Sequence, residues 1–355
     1  MIYNKTKRKE ETVMLDLNKY GAELVKGLEQ KDIPLKFAYL ANVRNWLELS
    51  REHYNDLIAC NDREQFKTTH YPFDTKTHFD KEHVTIVDIG CGDGYPIIPF
   101  IREMRGKTES MTYLGVDISE ALTDVAELNV KYHCGNIYQY GNIVTDYKKH
   151  VCDFDSGFDE IFAKVKDLPG NKIIFLLGGT LGNCKDPKSV LKEIEKFIGP
   201  EDYLFTEIKF CDKPEELKDE LSIYSSPEHR DFILAIPTQL GFISSKRDEY
   251  ELVVRWDTRL SAIVTLLWLK TDKVIKIGKK VVRFKSGDEI MLGFSKRFKT
   301  PNWRELIDEV INPDDLMIAW CASYQCNQLY FSVTKSWLHI KRYCSKDFKK
   351  ITKMQ

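Results

Sequence analysis

Residues 84–94 read VTIVDIGCGDG, an apolar run that ends in glycines at Gly90, Gly92 and Gly94. Glycine tolerates positive φ and carries no Cβ, so such a turn lets backbone N–H groups approach a ligand closely. Asp88 falls where the run gives way to the turn, and Asp93 falls inside it. A second apolar run, YLGVDIS at 113–119, ends in Asp117. A carboxylate at the end of the next strand is placed to accept both hydroxyls of a ribose. Glycines and acids in this order predict a nucleoside-binding turn at the carboxyl ends of two parallel strands, the competing reading being an ordinary tight strand-to-helix turn.

The acids discriminate among nucleoside ligands. A dinucleotide loop rests a pyrophosphate on a helix N-terminus, whereas Asp88 and Asp93 would repel that anion and attract a sulfonium and an amino group. No GxxxxGK[ST] phosphate loop stands at this position. S-adenosylmethionine is therefore the expected ligand.

The surrounding elements must hold these residues in place. Apolar residues at three- and four-residue intervals from Leu15 to about Asp62 predict an N-terminal helical layer, and the polar stretch 61–80 predicts a loop. After Asp117, SEALTDVAELNV predicts a helix capped by Ser119. NKIIFLL from Asn171 predicts a strand, 189–198 a helix and 202–210 another strand. This alternation describes an α/β doubly wound sheet with ligands at the carboxyl ends of its strands. Further on, 232–236, 249–256, 260–270 and 274–284 read as β segments that pair antiparallel. A helix at 303–310 and a hairpin from DLMIAWCAS and QLYFSVTKS complete the sheet. The expected organisation is an N-terminal helical part at 1–80, a cofactor-binding core at 81–210, a β-rich substrate lobe at 211–300, a C-terminal helix and hairpin at 301–335, and a basic tail at 336–355.

Composition narrows the partner. Of 355 residues, 53 are Lys or Arg and 54 Asp or Glu, a formal net charge of −1, so no global field favours nucleic acid or an anionic membrane. No run has the length of a membrane span, and the N-terminus lacks the apolar core of a secretory signal. A reducing, cytoplasmic setting is expected. The nine cysteines show no CxxC spacing, which predicts buried thiols and neither disulfides nor a metal site. No [DNS]PP[YFW] pattern follows the strands, which argues against a base-flipping enzyme. His229 with Arg230, and Arg255 with Arg259 beside Trp256, are carboxylate-binding candidates whose alternative is plain surface charge.

VDIGCGDG, YLGVDIS, CDFD at 152–155, IIFLLGGTLGN at 173–183 and GFSKRF at 293–298 occur in this order, and together the chain resembles the histidine-specific methyltransferase family over roughly residues 30 to 335. The resemblance implies a class I methyltransferase core, S-adenosylmethionine as cofactor, and a second, mixed α+β substrate domain. It places Gly90 with Asp88, Gly92, Asp93 and Gly94 at the methionine part of the cofactor. Asp117 falls at the ribose, and Asp153 with Phe154 at the adenine, while Ile118 and Gly178 complete the cofactor-binding set. On the acceptor side it implies Asn183 at the substrate's amino group, Tyr224 as a substrate tyrosine, Tyr39 and Tyr54 in the N-terminal stretch that also supplies tyrosines, and Ser295 near the substrate's imidazole. This chain departs from the family in one place: where a glutamate two residues before that serine binds the imidazole, it has Gly293.

Methyl transfer from a sulfonium is an in-line displacement from an already activated donor, so alignment of a neutral lone pair outweighs acid–base work. An asparagine carbonyl accepts N–H bonds without favouring the ammonium form as strongly as a carboxylate does. The reading is an N-methyltransferase for the α-amine of an amino acid or related small molecule, possible substrates extending beyond histidine. The competing readings are a non-catalytic cofactor-binding scaffold and a methyltransferase for peptide or protein amines.

Overall fold

The computed structural model describes residues 14–59, 83–104, 108–135, 144–199, 202–243, 247–310, 317–323 and 328–334. The chain divides into two compact units. One comprises the described residues up to Leu49 together with Lys218–Thr258 and Ala262–Phe294, and the other the described residues of Ser50–Leu217, Arg259–Ser261 and Ser295 onward. The expected loop at 61–80 and the basic tail lie outside the described residues.

The larger unit is built on strands β1 (His83–Ile89), β2 (Ser110–Asp117), β3 (Val144–Val151), β4 (Asn171–Leu176) and β5 (Tyr203–Lys209). These five pair in parallel in the order β5-β4-β1-β2-β3. The central strands are buried on both faces, as their continuous apolar runs require. β3 is the edge, and its sequence VTDYKKHV has the charge expected of a strand with one flank in water. That charge is why the apolar pattern gave no sign of it.

The helices follow the caps written in the sequence. Among the described residues, the first three are α1 (Leu17–Glu29), α2 (Lys36–Ala41) and α3 (Val43–Ala59), and α4 (Ile98–Glu103) follows β1. α5 (Glu120–Cys134) starts at Ser119, whose Oγ accepts the N–H of Leu122 at 3.4 Å. α6 (Phe158–Lys166) and α7 (Pro187–Glu195) cover the sheet, α7 being capped by Asp186 with Pro187 in its first turn. Two apolar layers close over the sheet: Val87, Ile89, Leu114, Ile161, Leu191 and Ile194 belong to one, and Ile86, Ile98, Phe100, Tyr113, Phe175 and Phe205 to the other.

The smaller unit contains α8 (Lys218–Tyr224), α9 (Pro227–Ile233) and α10 (Ala235–Gln239), then β6 (Tyr250–Asp257), β7 (Ala262–Leu269), a hairpin of β8 (Lys273–Ile277) and β9 (Lys280–Phe284), and β10 (Glu289–Lys296). Its three-stranded sheet runs β10-β7-β6. Leu24, Leu28, Phe37, Phe242, Leu267 and Phe284 form its core. The expected β segment at 232–236 is helical instead. Ser226 accepts the N–H of His229 and Pro227 occupies the first turn, so a helix start upstream overrides the local β preference of Phe232 and Ile233.

At the C-terminal end of the described chain, α11 (Thr300–Val310) precedes β11 (Met317–Ser323) and β12 (Gln328–Thr334). β12 lies antiparallel to β5 and β11 antiparallel to β12, completing a seven-stranded sheet. Trp303 of α11 is fully buried in the first apolar layer.

One glycine locks the sheet to its helix. Gly94 has φ +72°, and a Cβ there would stand 3.0 Å from the Cα of Ala126 on α5. Left-handed backbone costs an L-residue about 1–2 kcal/mol, and the overlap adds to that. Gly94→Ala is expected to destabilise the fold by about 2–3 kcal/mol in urea unfolding, and a change below about 0.5 kcal/mol would contradict this packing.

Candidate cofactor and acceptor site

The turn after β1 is held from two directions. Gly90 and Cys91 donate their N–H groups to the carbonyl of Val116 at 2.8 and 3.0 Å. Asp117 then secures the same turn with its carboxylate: Oδ2 accepts the N–H of Gly92 at 3.1 Å and Oδ1 that of Ser119 at 3.0 Å. The backbone N–H of Ile118 is a third donor to this carboxylate, which has about four acceptor positions in all. Gly90 has φ +70°, and a Cβ there would stand 2.8 Å from Cγ2 of Thr180. The glycine is therefore the condition for the turns after β1 and β4 to touch.

Asp88, Asp93 and Asp117 are all buried. Asp88 accepts the hydroxyl of Tyr113 at 3.1 Å. Burial, opposed by that bond and reinforced by Asp117 and Asp93, pushes its carboxyl up to about 7. Asp117 is pushed up to about 6 by burial, against the pull of its backbone donors. Asp93 accepts the hydroxyl of Ser50 on α3 at 2.7 Å and the N–H of Tyr95 at 3.2 Å, and burial raises its carboxyl above the ordinary range. Ile118 lies between Asp117 and the Ser119 cap.

After β4 the backbone turns through Gly178 and Gly179, at φ 66° and 74°, into a short 3-10 helix at Thr180–Asn183. Gly178 donates its N–H to Oε2 of Glu207 at 2.9 Å. Glu207, buried on β5 with its carboxyl raised by that burial, escaped the sequence reading. The signal was there, because it is the acid inside the otherwise apolar or neutral core of YLFTEI. Asn183 is half-buried at the end of the turn. The turn meets the end of β10, where a Cβ on Gly182 would stand 3.1 Å from the carbonyl oxygen of Lys296. Ser295 next to it is buried, and its Oγ accepts a bond from Nη1 of Arg297 at 2.8 Å.

Cys152 donates its N–H to the carbonyl of Asp117 at 2.9 Å, which brings Asp153 and Phe154, expected at the adenine, close to Asp117, expected at the ribose. Asp153 Oδ1 accepts the N–H of Asp155, and Phe154 stands edge-on to Phe158 with centroids 6.5 Å apart.

The tyrosines belong to the smaller unit. Tyr39 on α2 stands edge-on to Trp46, at 6.0 Å between centroids, and to Phe232, at 5.2 Å. His229 continues the series, 6.2 Å from Phe232 and 5.0 Å from Tyr224 at the end of α8. Tyr39 and Tyr224 thus belong to one aromatic series, in which Trp46 and Phe232 were missed and His229, read as a carboxylate-binding candidate, takes part through its ring. Burial lowers His229 to about 4, so the ring is neutral, with its Nε2 3.5 Å from the hydroxyl of Thr265. The side chain of Tyr54 lies outside the described residues. Arg255 forms a two-bond ion pair with Glu289, at 2.9 and 3.1 Å, on an exposed strand face.

The sheet order, with its antiparallel strand beside β5 and a glycine turn after β1, defines a class I methyltransferase fold. Residues 69–313, well over half of the chain, match the family described as histidine-specific methyltransferase, SAM-dependent. The chain belongs to that family, and its cofactor is S-adenosylmethionine. No protein of curated function matches the sequence. Similar solved structures include an S-adenosylmethionine-dependent methyltransferase from Clostridium acetobutylicum ATCC 824, 12% identical, covering 80% of this chain and 100% of that one, TM-score 0.37. DesVI of Streptomyces venezuelae is 12% identical, over 81% and 98% of the two chains, TM-score 0.34. CcbJ of Streptomyces caelestis is 9% identical, over 77% and 96%, TM-score 0.35. No helix among the described residues is long and apolar enough to cross a membrane.

The raised acids make the ligand-free fold pH-sensitive. Asp88 and Asp117 hold protons more tightly folded than unfolded, so their contribution to stability is complete below about pH 4. It is lost as pH rises through about 6 and about 7. Unfolding free energy measured without ligand is expected to fall between about pH 4 and about pH 7 and to level off above that, with the Asp88→Asn slope shallower by up to about 1.4 kcal/mol per pH unit. An identical slope in the variant would contradict the buried acid.

Proposed function

We propose that the protein transfers a methyl group from S-adenosylmethionine to the α-amine of an amino acid or related small molecule, and that this acceptor need not carry an imidazole. The observation that carries the reading is the contact between Gly90 of the donor turn and Thr180 of the turn that ends in Asn183. It brings the turn that ends in Asn183 against a loop rich in buried carboxylates.

The residues suit the cofactor. Asp117, held by the backbone N–H groups of Gly92, Ile118 and Ser119, keeps acceptor capacity for a ribose hydroxyl. The buried Asp88 and Asp93 give the turn a negative field that a cation relieves. A Cβ at Gly90 would fill the approach to Thr180. When bound, S-adenosylmethionine supplies a methyl group already activated by the positive sulfur.

The chain's own work is then positional. The Asn183 carbonyl accepts an amine N–H and steers the nitrogen lone pair while keeping the amine neutral. Ser295, fixed by Arg297, borders the same turn through Lys296 and Gly182. Within the smaller unit, Tyr39 and Tyr224 carry aromatic faces of the kind that favours a cation.

Gly293 sets the acceptor's character. A Cβ there would stand 3.1 Å from both Leu35 Cδ1 and Ile233 Cδ1. A carboxylate at this position would be desolvated without a partner. The apolar neighbours favour an acceptor recognised through its amino group and not through a basic ring.

Asn183→Ala is expected to lower turnover about 10- to 100-fold while changing S-adenosylhomocysteine affinity less than about twofold. Asp117→Ala should do the reverse, weakening the cofactor first. Equal losses of affinity and turnover in Asn183→Ala would contradict the assignment. Incubation with labelled cofactor and an amino-acid panel identifies the acceptor, and transfer to polypeptide alone would replace the small-molecule reading.

A further inference from the structure

At the end of β3, residues two apart share a face of the strand, so His150 and Cys152 point the same way. α6 follows after a tight turn and presents Glu160 from its first turn to that face. His150 Nδ1 or Nε2, Cys152 Sγ and a Glu160 carboxylate oxygen all lie within 4.8 Å of one another. We propose that these three side chains form a binding site for a thiophilic divalent cation, zinc being the best chemical match.

A further observation points to a ligand. His150 Nε2 is buried without a hydrogen-bond partner, its side chain being 11% exposed, and Glu160 Oε2 is 3.9 Å away, too far for such a bond. Buried polar atoms without partners are uncommon and call for an explanation. The absence of a Cβ at Gly157 leaves room for Cys152 Sγ, whose thiol donates to the Gly157 carbonyl at 3.5 Å and would give up that bond on binding metal.

Tetrahedral zinc with Zn–N near 2.0 Å and Zn–S near 2.3 Å separates its ligand atoms by about 3.3–3.7 Å. The side chains must therefore close by about 1 Å, and Glu160, 73% exposed, has the freedom to do so. On binding, the Cys152 thiol gives its proton to solvent and its sulfur lone pair to the metal, with no change of oxidation state. Nitrogen, thiolate and carboxylate together with one open position for water suit zinc better than magnesium or calcium. The cation would tie the β3 edge to α6 beside the Cys152–Asp117 backbone bond.

The test titrates the full-length, metal-free protein with zinc against a chromophoric chelator, and with cobalt(II) to read thiolate-to-metal charge transfer. One equivalent of zinc is expected, raising the melting temperature. Cys152→Ser, His150→Ala and the exposed Glu160→Gln should each weaken it by at least about tenfold. Cys211→Ser, a buried thiol elsewhere in the same unit, should leave binding unchanged and so separates this sulfur from the chain's other cysteines. Absence of stoichiometric binding, or wild-type zinc affinity in Glu160→Gln and Cys152→Ser, would overturn the site. S-adenosylhomocysteine binding by the metal-free variants reports that they remain folded.

Discussion

Buried carboxylates beside a glycine turn place the strongest constraint on this molecule, because ionised acids removed from water destabilise one another unless hydrogen bonds or a cation answer them. Asp88, Asp93 and Asp117 meet that demand in part from the protein itself. Tyr113, Ser50, Tyr95, Gly92 and Ser119 each donate to one of them. The residue of the cost shows in carboxyls raised by burial. In the site proposed for S-adenosylmethionine, the cationic cofactor would relieve what remains, so that a locally unfavourable arrangement becomes the basis of affinity.

The rest of the larger unit is arranged to keep this charge cluster from relaxing. Parallel pairing of β1 with β2 brings Asp88 and Asp117 to the same end of the sheet. Ser119 caps α5 while its N–H is held by Asp117, so helix start and carboxylate are fixed together. Gly94 lets α5 pack directly on the turn, and Gly90 lets the Asn183 turn do so from the other side. A side chain at either glycine would separate elements whose closeness the chemistry requires.

Much of this was legible in the sequence for a physical reason. Central parallel strands are buried on both faces, so β1, β2, β4 and β5 stand out as apolar runs, and their ends carry the glycines and acids. The glycine turn that ends in Asn183 was legible because it is local. β3 was not, since an edge strand rich in lysine resembles a loop. The 232–236 segment misled because Phe232 and Ile233 favour strands, while Ser226 and Pro227 start a helix upstream. Ser50, Glu207, Trp46 and the His150–Cys152–Glu160 group depend on contacts that fixed sequence motifs do not encode. The apolar neighbours of Gly293 belong to the same category, although the glycine itself was conspicuous.

If the raised acids exist to receive a cation, binding must expel their protons. Calorimetry of S-adenosylmethionine binding near pH 6.5, in buffers of different ionisation enthalpy, counts those protons directly. The account predicts net release of roughly half a proton to one proton per site, diminished in Asp117→Asn. Binding with no release, or with uptake, at every pH between about 5.5 and 7.5 would show that the cofactor does not engage these carboxylates.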